Sequence, residues 1–175
     1  MGWTIIQTVH LATPKETQSP GRGEIMSSIV VGMDGSEGAQ RALAWAVGEA
    51  AIRKTPIRAV YVIDRRYLDS DLGVLVAPAA SELEAEASAI LDRSIDGLEK
   101  IPEGVEIHKE VVHAERHGIV GTLLDRAGQD AELFVVGSRG HGGFTGLLLG
   151  SVSHQVLQHA RCPVVVVPHE RRSRD

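Results

Sequence analysis

Four short, nearly uninterrupted runs of β-branched and apolar residues punctuate this chain: SIVVGM (Ser28 to Met33), IRAVYVI (Ile57 to Ile63), ELFVV (Glu132 to Val136) and VVVV (Val164 to Val167). They lack the in-and-out alternation of a strand with one wet face, so each reads as a strand covered on both sides, as in parallel sheets flanked by helices. The segments between them have helical period. Ser36 suits an N-cap, with Glu37 in the first turn, for a helix whose inner face carries Ala39, Ala42, Leu43, Ala46, Val47 and Ala50. It should stop near Lys54, because Pro56 cannot continue it. A second helix is expected from Ser81 to Lys100, with Leu83, Ala87, Ile90, Leu91, Ile95 and Leu98 as its stripe and a capping box from Ser81 to Glu84. Val105 to Val112 is a more polar strand, suited to a sheet edge. A third helix carries Ile119, Val120, Leu123, Leu124 and Ala127, and a fourth spans Ser151 to Ala160.

The resulting order, β-α-β-α-β-α-β-α-β, predicts a single doubly wound α/β domain: a five-stranded parallel sheet of order 3-2-1-4-5 with helices on both faces and right-handed crossovers. Winding then reverses between strands one and four, and a ligand is expected in the crevice at their carboxyl ends. Two segments of unusual chemistry meet there. One is Asp34-Gly35-Ser36, and the other is the glycine-rich run after strand four.

A length of 175 residues suits one domain, and an aromatic share of 3% leaves Val, Ile, Leu and Ala to fill its core. The domain is expected over residues 26–168. Residues 1–25 read as a flexible N-terminal extension, with a Pro-, Gly- and charge-rich linker from Pro14 to Glu24; Met26 stands directly before the first strand. Residues 169–175 form a basic tail whose Arg171, Arg172 and Arg174 read as solvated. With a net charge of −5 there is no electrostatic footprint for nucleic acid. The opening MGWTIIQTVHLATP lacks a basic start and a sustained apolar core, and no run approaches a membrane span. One cysteine, Cys162, allows no internal disulfide, so a cytoplasmic protein is the expectation.

The run from Gly137 to Ser151 reads GSRGHGGFTGLLLGS. An anion needs several backbone N–H groups at close range, which residues without a Cβ permit, followed by a helix N-terminus with its unpaired donors. A phosphate is expected against the amides of Gly140, Gly150, Ser151 and Val152, with the Ser151 hydroxyl as a further donor. Arg139 and His141 could add positive charge, or could be solvated loop residues. Phe144 and Leu147 to Leu149 suggest an anchored rather than a floppy loop. The dinucleotide fingerprint matches poorly, since position 145 is Thr and the loop follows strand four; no P-loop sequence occurs.

These residues resemble the ATP-binding branch of the universal stress protein family. Its pattern of glycine, two residues, glycine, nine residues and Gly-Ser is met by Gly137, Gly140, Gly150 and Ser151. VVGMDGSEGAQRALAWA (Val30 to Ala46) and CPVVVVP are similar to the family's first strand and helix and its last strand. The resemblance covers about Met26 to Pro168. It implies ATP, with or without Mg, as the bound molecule: Asp34 on the ribose hydroxyls, the Val62 backbone on adenine, and Gly137, Gly140, Gly150, Ser151 and Val152 on the phosphates. Asp34 could instead be a turn residue. Many relatives have a Gly-x-Pro turn where this chain has Val112 to Gly118, which leaves the adenine-side wall open to change.

The resemblance also implies a homodimer paired through the fifth strand. The sequence has its own reason for one, since Val164 to Val167 would be a hazardous edge if bare; the alternative is an edge blunted by Pro163, Pro168 and the tail. Catalysis has thin support. Phosphoryl transfer needs a metal-binding acid and a base or water-positioning group by the phosphates. Asp34 is the one evident acid, with Asp64, Asp69 and Asp71 more distant. His113 and His117 have the spacing of a helical metal pair with nothing else to support it, and Cys162 lacks a partner base. The expectation is therefore a nucleotide-responsive regulatory module with an unknown protein partner and at most slow ATP hydrolysis. A nucleotide-free interaction protein and an adenine-nucleotide enzyme are the alternatives.

Overall fold

The structure, a computed structural model, describes residues 7–8, 27–64, 80–114, 116–128, 130–140 and 149–168. The elements are β1 (Gln7–Thr8), β2 (Ser28–Met33), α1 (Glu37–Arg53), β3 (Ile57–Ile63), α2 (Ala80–Asp96), β4 (Ile107–His113), α3 (Gly118–Ala127), β5 (Ala131–Gly137), α4 (Ser151–His159) and β6 (Val164–Val167). β2 to β6 are mutually parallel and lie in the order β4-β3-β2-β5-β6, which is the expected 3-2-1-4-5. The polar strand, β4, is an edge.

The continuous apolar runs are explained by burial on both sides. Ile29, Val31 and Met33 of β2 face one core with the inner face of α1 and Leu91 of α2. Val30 faces the other core, with Leu123 and Ala127 of α3, Phe134 of β5 and Val156 of α4. Strands wetted on neither side need no polar alternation. α1 is bounded as its residues predict: the Ser36 hydroxyl accepts from the Ala39 N–H at 3.2 Å, and Lys54 leaves the helix in the left-handed region at φ 55°.

Several expectations are corrected. α2 begins at Ala80, so Ser81 lies inside its first turn and does not cap it. Glu84, the other half of the supposed box, pairs through Oε1 with His113 Nε2 at 2.8 Å. α2 ends at Asp96, four residues before Lys100, where the Leu98 N–H turns back to the Ile95 carbonyl at 3.1 Å. Strand β4 starts at Ile107 rather than Val105. His113 belongs to β4 and His117 precedes α3, so the two do not share a helical face.

The sheet also has a sixth strand. Residues Gln7–Thr8 pair antiparallel with β6, Gln7 opposite Val165 and Thr8 opposite Val164. The rest of the N-terminal extension, the segment 65–79, most of the glycine-rich loop (141–148) and the basic tail lie outside the described residues. Among the described residues no helix is long and apolar enough to cross a membrane.

Candidate functional site

A cleft of about 640 Å³ opens at the carboxyl ends of β2 and β5, where the winding of the sheet reverses. That is the place and the size expected of a small-molecule site in a doubly wound sheet. Asp34, Val62, Gly137, Gly140, Gly150, Ser151 and Val152, the residues singled out from sequence, all line it. Arg139 and Leu149 line it as well. Asp64 is not among the lining residues; His141, Asp69 and Asp71 lie outside the described residues.

One wall is acidic and fixed. β2 ends at Met33, and Gly35, at φ 82°, turns the chain so that Asp34 stands beside the start of α1. Asp34 Oδ1 accepts from the Ser36 N–H at 2.9 Å and from the Ser36 hydroxyl at 2.6 Å. Ser36 in turn caps α1, so one chain of hydrogen bonds ties the carboxylate to the helix N-terminus, whose dipole favours the charge. The turn role weighed for Asp34 is therefore real, and it leaves the carboxylate on the cleft wall.

The opposite wall is the N-terminus of α4, a helix of nine residues preceded by Gly150 in extended conformation with no side-chain cap. Gly150, Ser151, Val152 and Ser153, at its start, line the cleft. Helix N-termini carry unpaired donors and partial positive charge, the chemistry that receives a phosphate. The two ends of the loop are clamped at this point. The Gly150 N–H donates to the Ser138 carbonyl at 2.7 Å, the Ser138 N–H donates to Val167 of β6 at 2.8 Å, and the buried Ser153 hydroxyl donates to the Ser138 carbonyl at 3.0 Å. Ser138 and Ser153 were invisible as site residues because a serine beside a glycine run has no distinctive spacing.

The glycines have different reasons to be glycine. A Cβ on Gly137 would lie 2.5 Å from the carbonyl carbon and 2.6 Å from the carbonyl oxygen of Gly38, so α1 and β5 meet backbone to backbone. A Cβ on Gly38 would collide with the Arg139 carbonyl oxygen, and one on Gly140 with Asp34 Oδ2. Gly150 is unlike these: among the described residues a Cβ there would meet nothing closer than 3.5 Å. Protein packing accounts for Gly137 and Gly140, and among the described residues does not account for Gly150. Gly38 was missed in the sequence because its partners lie about a hundred residues away.

The third wall is apolar. Val62, Ile119, Leu123 and Val136 supply it, with Met33, Ala39 and Tyr61 toward α1. The Ile29 N–H donates to Pro56, whereas the Ile57 N–H donates to Glu106, so backbone groups of even-numbered residues in β3 face β2. The β2–β3 ladder ends at Met33 opposite Tyr61, which puts the Val62 backbone at the rim of the cleft, just past the last paired position. Of the stretch from Val112 to Gly118, no residue described lines the cleft; Ile119 and Leu123 of α3 form that side instead. Among the described residues no group of three or more His, Cys, Asp or Glu could hold a metal ion. Burial pushes the Cys162 thiol up from its ordinary value, which opposes the reactive thiolate form.

An acidic residue, a helix N-terminus and an apolar lining, gathered at the switch point of a doubly wound sheet, make an α/β domain whose cleft is suited to a molecule with an anionic end and a flat or apolar end. The chain belongs to the universal stress protein family, whose family model matches residues 26–168. A universal stress protein of Mycobacterium tuberculosis is 36% identical over 155 residues, covering 85% of this chain and 50% of the relative. One of Mycolicibacterium smegmatis is 37% identical over 139 residues, covering 79% of this chain and 45% of the relative. The chain thus spans about half the length of these curated relatives. Among solved structures, the universal stress protein UspA from Lactobacillus plantarum superposes with a TM-score of 0.68 at 26% identity, covering 81% of this chain and 97% of that one. A universal stress protein solved in complex with cAMP gives 0.57 at 26% identity, covering 82% and 98%. One from Archaeoglobus fulgidus in complex with dAMP gives 0.54 at 25% identity, with coverage of 82% and 98%.

Proposed function

We propose that this chain binds an adenine nucleotide, ATP with or without Mg, and acts as a cytoplasmic, nucleotide-responsive stress module. The observation that carries the reading is the cleft itself, in which the Asp34 carboxylate and the α4 N-terminus face each other across an apolar floor. Asp34 accepts from the ribose diol, the Val62 backbone meets the adenine edge, and the amides of Gly140, Ser151 and Val152 take the phosphates, with Gly137 setting the loop's start. The Gly150 N–H, expected among these donors, is committed to the Ser138 carbonyl, so Gly150 contributes the close approach of its backbone. A Cβ at Gly150 would make only ordinary contacts, 3.5 to 3.8 Å from Ser138, Arg139 and Ser153, so packing among the described residues asks for no glycine there, which supports a ligand lying against that backbone. The two solved relatives carrying cAMP and dAMP support the adenine moiety.

Holding the nucleotide is better supported than hydrolysing it. Asp34 is tied to Ser36 and no second acid lines the cleft among the described residues, so hydrolysis is slow and incidental. We further propose that two chains pair through the edge of β6, Val164 to Val167, whose four uncharged β-branched residues favour strand addition. A protein partner would read the nucleotide state.

Heat-denaturing the purified chain and analysing the supernatant by mass spectrometry should release an adenine nucleotide. An empty supernatant together with no thermal shift in Mg-ATP would leave a nucleotide-free interaction protein as the better reading.

A further inference from the structure

The outer edge of β6 is occupied by a strand from outside the extent of the family match. The family model begins at residue 26, whereas β1 is residues Gln7–Thr8. Two hydrogen bonds fix which way β6 faces. The Phe134 N–H donates to Pro163 at 2.9 Å and the Ser138 N–H donates to Val167 at 2.8 Å, so odd-numbered residues of β6 direct their backbone groups at β5. The N–H and C=O of Val164 and Val166 therefore point outward. β1 sets Thr8 opposite Val164 and Gln7 opposite Val165. Thr8 is thus the residue that stands at a hydrogen-bonded position of the antiparallel ladder, while the backbone groups of Gln7 face away from β6.

We propose that β1 is a detachable edge strand that competes with a second copy of this chain for β6. This rests on the strand-paired dimer of the preceding subsection. A two-residue ladder is a weak attachment, and the edge beneath it is four valines without a charge or an internal proline, protected against strand addition only by its shortness and its flanking prolines, Pro163 and Pro168. A second copy fits because antiparallel pairing of identical strands about a two-fold axis is self-complementary and closed: the outward groups of Val164 and Val166 on each chain meet the same pair on the other. β1 and the second copy need the same donor and acceptor on Val164, so they exclude one another. The extension sets how much dimer forms at a given concentration.

Sedimentation velocity over a concentration series, with hydrogen exchange at Val164 to Val166, tests this on the full chain. Thr8→Pro deletes the ladder N–H of β1, and Gln7→Pro stiffens the same segment without deleting one. The expected result is a dimer dissociation constant at least about tenfold lower for Thr8→Pro than for the wild type, a Gln7→Pro variant that follows the wild type, and β6 amides protected in every case. Unchanged association and unchanged exchange in Thr8→Pro would mean that β1 does not hold the edge, which overturns the proposal and leaves the dimer intact. A Thr8→Pro chain that stays at the 18.8 kDa monomer mass with faster exchange at β6 would show β1 covering an edge that no second copy takes; that result overturns both the competition and the dimer.

Discussion

Gly137→Ala is expected to destabilise the fold by about 3 kcal/mol, the upper end of the usual cost of overpacking. The new methyl would lie 2.5 to 2.6 Å from the Gly38 carbonyl group, and neither party is a side chain that can rotate away. Relief requires α1 to move off β5. α1 carries much of one core through Ala39, Ala42, Leu43, Ala46, Val47 and Ala50, so such a shift loosens contacts along its length. For a domain of this size the loss corresponds to a fall in melting temperature of roughly 6 to 12 °C. Differential scanning calorimetry of the ligand-free protein measures it. A Gly137→Ala variant that melts with the wild type would show that α1 and β5 are not packed backbone to backbone.

Gly140→Ala should act on the ligand more than on the fold. Its methyl would collide with Asp34 Oδ2, and the carboxylate can escape only by leaving Ser36 or by pushing the loop away from α1. Either movement separates the acidic wall from the α4 N-terminus. The expected result is a dissociation constant for Mg-ATP raised at least about tenfold, equivalent to 1.4 kcal/mol or more of binding free energy. Asp34→Ala combined with Gly140→Ala separates the causes. With the carboxylate gone the alanine fits, so the double variant should bind no worse than Asp34→Ala alone. A double variant that is weaker by the full sum would mean that the added methyl obstructs the ligand itself and does not act through Asp34.

The sheet was legible because its strands are buried on both faces. β2, β3 and β6 have the bounds their apolar runs suggest, and the order of the parallel strands follows from the alternation with helices. Boundaries set by local hydrogen bonding were less legible. The Ser81 capping box failed because Glu84 is drawn to His113, a residue of another element, and the end of α2 was overextended because the Leu83-to-Leu98 stripe does not reveal the turn at Leu98. β1 was unreadable because two residues carry no period.

The cleft was legible as a set of residues and less so as a set of reasons. Spacing picks out Gly137, Gly140 and Gly150 alike, yet packing demands the first two and leaves the third open. That difference arises from contacts with Gly38 and Asp34, about a hundred residues distant in sequence. Gly38, Ser138 and Ser153 carry no motif of their own. They matter only once the fold has brought α1, β5 and α4 to one point.

Isothermal titration of Mg-ATP into the wild-type chain tests the central claim most directly. A cleft with a fixed carboxylate on one wall and helix amides on the other should take up one nucleotide per chain, with a dissociation constant on the order of micromolar, near −8 kcal/mol. No saturable heat up to about millimolar nucleotide, where binding would be worth only about −4 kcal/mol, would contradict it.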